Sequence, residues 1–243
     1  MKPLRLAMWS GPRNISTAMM RAWENRGDCA VVDEPLYAHY LAHTDRDHPG
    51  REEIIAAGET DWRKVATRLT GAVPEGKAIW YQKHMAHHLL PHIGRGWLGE
   101  LTHGFLIRDP REVLLSYLKS RPSLTAEDIG VVRQLEIFES VQNQSGVTPP
   151  VVDAGEFLQA PEPQLRALCE RLGVAFTPRM LSWPAGPRAS DGIWAPYWYE
   201  AVLRSTGFEP YREREHRVPP AFRGLIEAVM PAFEALYSHR LVS

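Results

Sequence analysis

Cysteine is scarce in this chain, since only Cys29 and Cys169 occur among 243 residues. Neither belongs to a CxxC pair or to another spacing typical of a structural zinc site, and two cysteines cannot build a disulfide framework. We interpret both as reduced core residues, which predicts a cytoplasmic protein. The sequence predicts no bound metal.

An excess of positive charge is also missing, because 28 lysines and arginines are balanced by 29 acidic residues. Nonspecific nucleic-acid binding depends on Lys and Arg, so this balance argues against a nucleic-acid partner. A small anionic ligand, by contrast, needs only a few local cations. The chain also lacks a run of about 18 apolar residues, so we expect no membrane-spanning helix, and we see no signal peptide.

Short apolar strands alternate with amphipathic helices along the chain, a pattern that favours a parallel sheet covered on both faces. The predicted strands are residues 4–9, 29–32, 78–82, 104–107 and 151–153. Apolar residues at helical spacing predict helices that include 165–172 and 222–236. The length and an ordinary 44% of hydrophobic residues fit one domain over residues 1–243.

The first predicted strand leads into a tight loop and then a helix over residues 16–24. The loop and the first two helical residues read Gly11-Pro12-Arg13-Asn14-Ile15-Ser16-Thr17. A helix N-terminus presents unpaired N–H groups and partial positive charge, which suit a phosphate or sulfate. Arg13 adds a guanidinium, but Ile15 stands where a Walker A motif has Lys.

A second motif follows the fourth predicted strand. Asp109 is placed to cap a helix, Pro110 suits its first position, and Glu112 would complete a capping box. Arg108 is therefore expected at the carboxyl end of the strand, with Ser116 about two turns into the helix. Ligands of open α/β sheets bind at this edge.

The two motifs together resemble the sulfotransferase superfamily. Pro12, Arg13, Ser16 and Thr17 match its 5′-phosphosulfate loop, which in bacterial and tyrosylprotein members reads roughly Pro-Arg-Ser-Gly-Thr/Ser-Thr. Asn14 and Ile15 replace the usual Ser-Gly. Arg108 and Ser116 match the 3′-phosphate motif, in which a Ser follows an Arg by eight residues.

This resemblance implies an α/β fold, namely a P-loop NTPase-like three-layer α/β/α domain with a mainly parallel sheet of about five strands. The implied donor is 3′-phosphoadenosine 5′-phosphosulfate (PAPS), which becomes adenosine 3′,5′-bisphosphate (PAP). The implied reaction is sulfuryl transfer, without a metal, to a hydroxyl or amine of a small-molecule acceptor. The sequence does not identify the acceptor and leaves a homodimer open.

Two groups are candidates for the base that deprotonates the acceptor. Glu34 ends the second predicted strand and matches the catalytic Glu of tyrosylprotein and bacterial sulfolipid sulfotransferases. Lys83 follows the third predicted strand and resembles the Lys of the Lys-x-His motif in cytosolic members, where it would stabilise the leaving phosphate. His84, His87 or His88 would then be the base, since imidazole titrates near neutrality.

A late basic loop gives a weaker match, because Arg188 and Trp194 resemble the segment that closes the donor site in sulfotransferases. Purely structural roles stay open: Arg108 in an ion pair, Glu34 as a cap, and the histidines at the surface. Two other functions also stay open. One is a P-loop kinase or nucleotide hydrolase, which would need magnesium and a Walker lysine, and the other is a non-catalytic nucleotide-binding module.

Overall fold

The computed structural model describes residues 3–119, 121, 123–212 and 217–242. Five strands in these ranges form one sheet in the order β2-β3-β1-β4-β5, and every neighbouring pair is parallel. The strands are β1 (Leu4–Ser10), β2 (Cys29–Asp33), β3 (Ile79–Met85), β4 (Thr102–Ile107) and β5 (Val151–Asp153).

Helices connect the strands and follow the last one. Those within the described ranges are α1 (Ser16–Glu24), α2 (Tyr37–Ala42), α3 (Arg51–Ala57), α4 (Trp62–Thr70), α5 (Pro110–Tyr117), α6 (Ala126–Ile129), α7 (Val131–Ser145), α8 (Ala154–Gln159), α9 (Pro161–Arg171), α10 (Ala195–Trp198), α11 (Glu200–Arg204) and α12 (Arg223–Tyr237). Short 3₁₀ segments span Pro74–Gly76, Ala86–His88, Gly96–Glu100, Pro178–Leu181 and Pro220–Phe222.

The central strand β1 shows why the sheet is covered on both sides. Its side chains alternate between two faces, and Ala7 and Trp9 enter one hydrophobic cluster while Leu6 and Met8 enter another. The first cluster is completed by α7 and α12, and the second by α1 and α9. The predicted three-layer arrangement around a parallel five-stranded sheet is therefore confirmed.

The third strand is longer than predicted. It was expected to end at residue 82, but it continues to Met85, in register with β1 throughout. Lys83 and His84 therefore lie within a strand rather than after it, and because strand side chains alternate they point to opposite faces. The strand was expected to end before the charged Lys83, but Asp33 and Glu34 pair with this lysine and allow it to be buried within the strand.

The local structure around α1 and α5 largely follows the sequence signals. Helix α1 has the predicted bounds, and the Asp109 carboxylate caps α5 by accepting a bond from the Arg111 N–H. Glu112 was predicted to close a capping box. It instead accepts bonds from Arg108 and from the Tyr211 hydroxyl. Among the described helices, none has the length and apolarity that crossing a bilayer requires.

Candidate active site

A cavity of about 160 Å³ opens at the carboxyl edge of the sheet. The loop after β1, the end of β2 and the start of α2, the end of β3 and the last turn of α5 all contribute walls, as does the segment that joins α10 to α11. The lining residues are Pro12, Arg13, Asn14, Ser16, Thr17, Glu34, Tyr37, His48, Lys83, Met85, His87, His88, Tyr117, Arg121, Trp198 and Tyr199.

The loop after β1 is held in an unusual backbone conformation. Arg13 has φ 54°, in the left-handed region that side-chain-bearing residues seldom occupy, whereas Ile15 keeps an ordinary φ of −86°. Asn14 braces the loop: its amide donates to the Leu106 carbonyl at 3.0 Å, and its side-chain oxygen accepts from the Ile15 N–H at 2.8 Å. The turn therefore forms with Ile15 in the place of the glycine of the sulfotransferase loop.

The same loop leads directly into the open end of α1. No described side chain caps this helix, so the N–H groups of its first turn are available to an anion in the cavity. Ser16 and Thr17 both line the cavity there. Gly11 lies behind the loop, where a Cβ would come within 3.1 Å of both the Gln134 side chain and the Ile129 carbonyl. Its role is therefore close packing rather than cavity lining.

The two predicted motifs meet through direct contacts. The Arg13 guanidinium donates to the Ser116 hydroxyl at 3.0 Å, and Arg108 donates to the Arg13 carbonyl at 2.7 Å. Arg108 also forms an ion pair with Glu112 at 2.8 Å. Residues 13 and 108, far apart in the chain, thus form one cationic group beside the cavity.

A buried charge network occupies the floor of the cavity. The Lys83 ammonium lies 2.9 Å from Asp33 Oδ1, 2.7 Å from Glu34 Oε1 and 2.6 Å from the Tyr199 hydroxyl. Tyr199 donates to the other Asp33 oxygen at 2.6 Å and accepts from the Trp194 indole at 3.1 Å. Burial alone would lower the pKa of Lys83, but the two carboxylates raise it well above its usual value.

Glu34 is the second cavity residue with a strained backbone, at φ 41°. Three described residues other than glycine have positive φ, and two of them, Arg13 and Glu34, line this cavity. Strain of this kind concentrates at functional sites. Burial raises the pKa of the Glu34 carboxyl, although Lys83 opposes the shift.

Two of the candidate histidines lie beside Glu34. His88 stacks on Tyr37 and Tyr40 at ring separations of 4.6 and 4.7 Å, and its Nδ1 is 3.9 Å from Glu34 Oε2. His87 lines the cavity and packs edge-on against Tyr40. Both Nδ1 atoms are buried and have no hydrogen-bond partner within the described part of the chain. Burial lowers the pKa of both rings, that of His87 to about 3.

The structure does not bring His84 to the cavity. Its ring lies on the other face of the sheet, stacked on Trp9 at 4.4 Å, where burial lowers its pKa to about 3. Arg188 is also absent from the lining. Its guanidinium is 3.8 Å from Glu24, the last residue of α1, so it lies at the opposite end of that helix from the loop.

Several residues of the site were not predicted from the sequence. Asp33 binds Lys83 beneath the cavity and immediately precedes Glu34, so the pair of acidic residues at a strand end was an available signal. Tyr199 and Trp198 belong to the aromatic stretch that was interpreted mainly as core. No sequence pattern pointed to five other lining residues, namely Tyr37, His48, Met85, Tyr117 and Arg121.

A second cavity of about 300 Å³ adjoins the first and shares His48, His87, Tyr117 and Arg121 with it. Its outer lining mixes cations and anions. Arg46 pairs with Glu127 and Asp128, and Arg133 with Glu136. The two cavities therefore adjoin, and the loop after β1 lies at the far side of the smaller one.

Two curated relatives come from Arabidopsis thaliana. They are branched-chain-amino-acid aminotransferase-like proteins 2 and 1, each 35% identical to this chain over 231 and 238 residues. These matches cover 95% and 98% of the chain but 41% and 42% of the relatives. The chain thus spans about two fifths of their length.

Solved structures with the same fold include a sulfotransferase from Alicyclobacillus acidocaldarius, with a TM-score of 0.55 and 12% identity over 100% of this chain and 98% of that one. The sulfotransferase domain from the curacin biosynthetic pathway gives 0.50 and 14% over 96% and 98%. The family model described as a sulfotransferase domain matches residues 4–240. The resemblance found in the two motifs is therefore confirmed, and the chain belongs to the sulfotransferase domain family.

Proposed function

We propose that this chain is a sulfotransferase that moves the sulfuryl group of PAPS to a hydroxyl or amine of a small-molecule acceptor. One observation carries the proposal: the loop after β1 and the Glu34–Lys83 network line one cavity, and Arg108 and Ser116, which are not in its lining, bind the Arg13 of that loop. An anion-binding loop beside a buried carboxylate is what sulfuryl transfer requires, since a charged donor must lie next to a base.

The donor site is assigned as follows. The first turn of α1, Arg13, Ser16 and Thr17 would hold the 5′-phosphosulfate. Arg108 and Ser116 would hold the 3′-phosphate. The contacts of Arg108 with Glu112 and with the Arg13 carbonyl use three of its five N–H donors and fix its orientation. The remaining donors are suited to a phosphate.

Glu34 is the better base of the two candidates. A general base works best when its pKa is near the working pH, and burial moves the pKa of Glu34 upward, toward that range. The pKa of His87 is about 3, so its imidazole is a poor proton acceptor at neutral pH. Lys83 fixes one Glu34 oxygen at 2.7 Å, and the other oxygen is left for the acceptor.

The proposed step is an in-line displacement at sulfur. The acceptor O–H or N–H gives its proton to Glu34 while the acceptor atom bonds to sulfur. The bond from sulfur to the bridging oxygen breaks, and PAP leaves with the electron pair. Arg13 and the N–H groups of α1 stabilise the negative charge that develops on the leaving phosphate. His87, at the junction of the two cavities, would contact the acceptor.

The test is a transfer assay with sulfur-labelled PAPS over a panel of hydroxyl and amine acceptors. We expect label transfer by the wild type and a loss of about 10²–10⁴-fold in kcat for Glu34→Gln, with PAP affinity kept. Glu75→Gln is the matched control, because Glu75 also has positive φ (55°) but is exposed and outside the cavity. Full activity of Glu34→Gln would contradict the assignment of the base.

Two other results would overturn the proposal itself. Turnover of ATP with magnesium and none of PAPS would indicate a kinase or hydrolase. PAP binding without transfer to any acceptor of a broad panel, together with no effect of Glu34→Gln, would indicate a nucleotide-binding module without catalysis.

A further inference from the structure

Three histidines form a compact group outside the candidate active site. His39 lies within α2, His43 follows it by four residues, and His92 comes from the segment after β3. One ring nitrogen of each lies within 4.8 Å of those of the other two. They share a surface depression with Thr60, Asp61, Trp62 and Arg63. The proposed sulfuryl transfer uses none of them.

Hydrogen bonds fix the orientation of two of these rings. His39 Nδ1 lies 2.6 Å from the Thr60 carbonyl, and His43 Nδ1 lies 2.9 Å from the His39 carbonyl. A carbonyl only accepts, so each Nδ1 carries the proton and each Nε2 keeps its lone pair. Metal-binding histidines show this same arrangement, in which a carbonyl holds the far nitrogen of the ring.

The spacing of the nitrogen atoms also suits a small cation. His39 Nε2 is 3.0 Å from His92 Nε2. Two imidazoles bound to one tetrahedral zinc ion at 2.0–2.1 Å have nitrogens about 3.3 Å apart. His39 is buried, whereas His43 and His92 are exposed. The bonds to carbonyls already orient His39 and His43, so a small rotation of the exposed His92 ring would complete a three-histidine site.

We propose that His39, His43 and His92 bind a zinc ion, with water as the fourth ligand. Imidazole ligands suit zinc as well as copper, iron and nickel, and three histidines with a water in the fourth position form a known tetrahedral zinc arrangement. The ion joins α2 to the segment after β3, and these two elements carry Tyr40 and His88, which stack on each other in the cavity wall. None of the three histidines lines the cavity of the proposed transfer, so the ion would stabilise this wall and take no part in the transfer of the sulfuryl group. The sequence alone predicted no metal, because His39 and His92 are 53 positions apart and only the fold brings them together.

The test is a calorimetric titration of zinc chloride into tag-free, EDTA-treated, dialysed protein, with the thermal midpoint measured with and without zinc. We expect one zinc per chain and a higher midpoint with zinc. His43→Ala and His92→Ala, both at exposed positions, should each weaken zinc binding by about tenfold or more and abolish the shift. His239→Ala is the matched control, an exposed histidine just after α12, and should behave as the wild type.

Cobalt gives an independent readout, because tetrahedral coordination produces visible absorption that His92→Ala should remove. The proposal is overturned if the wild type binds no zinc. The contact between His39 Nε2 and His92 Nε2 would then be an ordinary hydrogen bond between two imidazoles. The proposal is also overturned if zinc binding survives both His43→Ala and His92→Ala. None of these outcomes depends on sulfuryl transfer, so the zinc site and the proposed function can fail separately.

Discussion

The two faces of the sheet at the end of β3 differ sharply, although both are buried. On one face Lys83 keeps its charge because Asp33, Glu34 and Tyr199 surround it. On the other face His84 packs on Trp9 among neutral partners, and burial lowers its pKa to about 3. Neighbouring residues in one strand therefore have different surroundings: Lys83 holds together the charge network at the floor of the cavity, and His84 packs in the core.

The difference shows how an interior can hold a charge beside a ligand site. An isolated buried ion is costly, so a charge persists only where partners satisfy it. The Lys83 face supplies those partners from β2, β3 and the segment 194–199, whereas the His84 face supplies aromatic rings and one amide. Only the first face opens to the cavity, and substitutions on the two faces should consequently have different effects.

The largest effect is expected from Lys83→Met, because it leaves Asp33 and Glu34 as buried carboxylates without their cation. Breaking a buried pair in this way costs about 3–5 kcal/mol of unfolding free energy, measurable by urea denaturation. Lys64→Met is the matched control, since Lys64 pairs with Glu59 at an exposed site, and it should change stability by less than about 0.5 kcal/mol. Equal losses of unfolding free energy in Lys83→Met and Lys64→Met would show that the buried Lys83 network contributes no more to stability than an exposed ion pair.

A smaller effect, which depends on pH, is expected from His103 on the opposite face. Its Nδ1 accepts from the Trp9 indole at 3.0 Å and its Nε2 donates to the Leu98 carbonyl at 2.9 Å, so the ring is neutral. Burial lowers its pKa to about 4, which the Leu98 bond only partly opposes. The unfolded chain, with a pKa near 6.5, takes up the proton first, and stability is therefore lost as pH falls from about 6.5 toward 4.

Urea unfolding at pH 7 and pH 5 measures this loss. For one histidine with these values it amounts to about 2 kcal/mol. In His103→Gln the difference in unfolding free energy between the two pH values should shrink by about that amount. A variant that keeps the whole wild-type difference would show that the ring does not stay neutral in the fold.

The smallest effect is expected from His84→Phe, which keeps an aromatic ring on Trp9 and removes the titrating nitrogens. Because His84 faces away from the cavity, kcat/KM for sulfuryl transfer should stay within about threefold of the wild-type value. His87→Phe is the informative partner, since His87 lines both cavities, and it should raise KM for the acceptor. A large loss of kcat in His84→Phe would restore it as a candidate base.

Local signals predicted the elements around the proposed donor site well. The strand, loop and helix of residues 4–24 and the Asp109 cap of α5 depend on nearby residues, and the structure has both. The parallel sheet also followed from the alternation of strands and helices. Family membership rested on two short motifs at the ends of strands, where the fold constrains residue type most strongly.

The long-range contacts of the site could not be predicted from the sequence. Tyr199 reaches Asp33 across 166 positions, and nothing in the aromatic stretch indicates that partner. Arg188 was expected at the donor site but lies at the far end of α1, where Asp191 accepts bonds from Arg21 and from the Arg188 backbone N–H, and Glu24 lies near the Arg188 guanidinium. The left-handed backbone at Arg13 and Glu34 also carries no sequence signature, since neither residue is one that favours positive φ.

The most direct test is calorimetric titration of PAP into the wild type, Arg108→Ala and Arg111→Ala, with ATP and magnesium as a separate ligand. Arg111 is the matched control, because it pairs with Asp109, whereas Arg108 binds the Arg13 carbonyl of the loop after β1. We expect tight PAP binding that Arg108→Ala weakens by about 30-fold, or about 2 kcal/mol for a lost charge-assisted contact, and that Arg111→Ala preserves. Absence of PAP binding, or preference for ATP with magnesium, would contradict the assigned donor site.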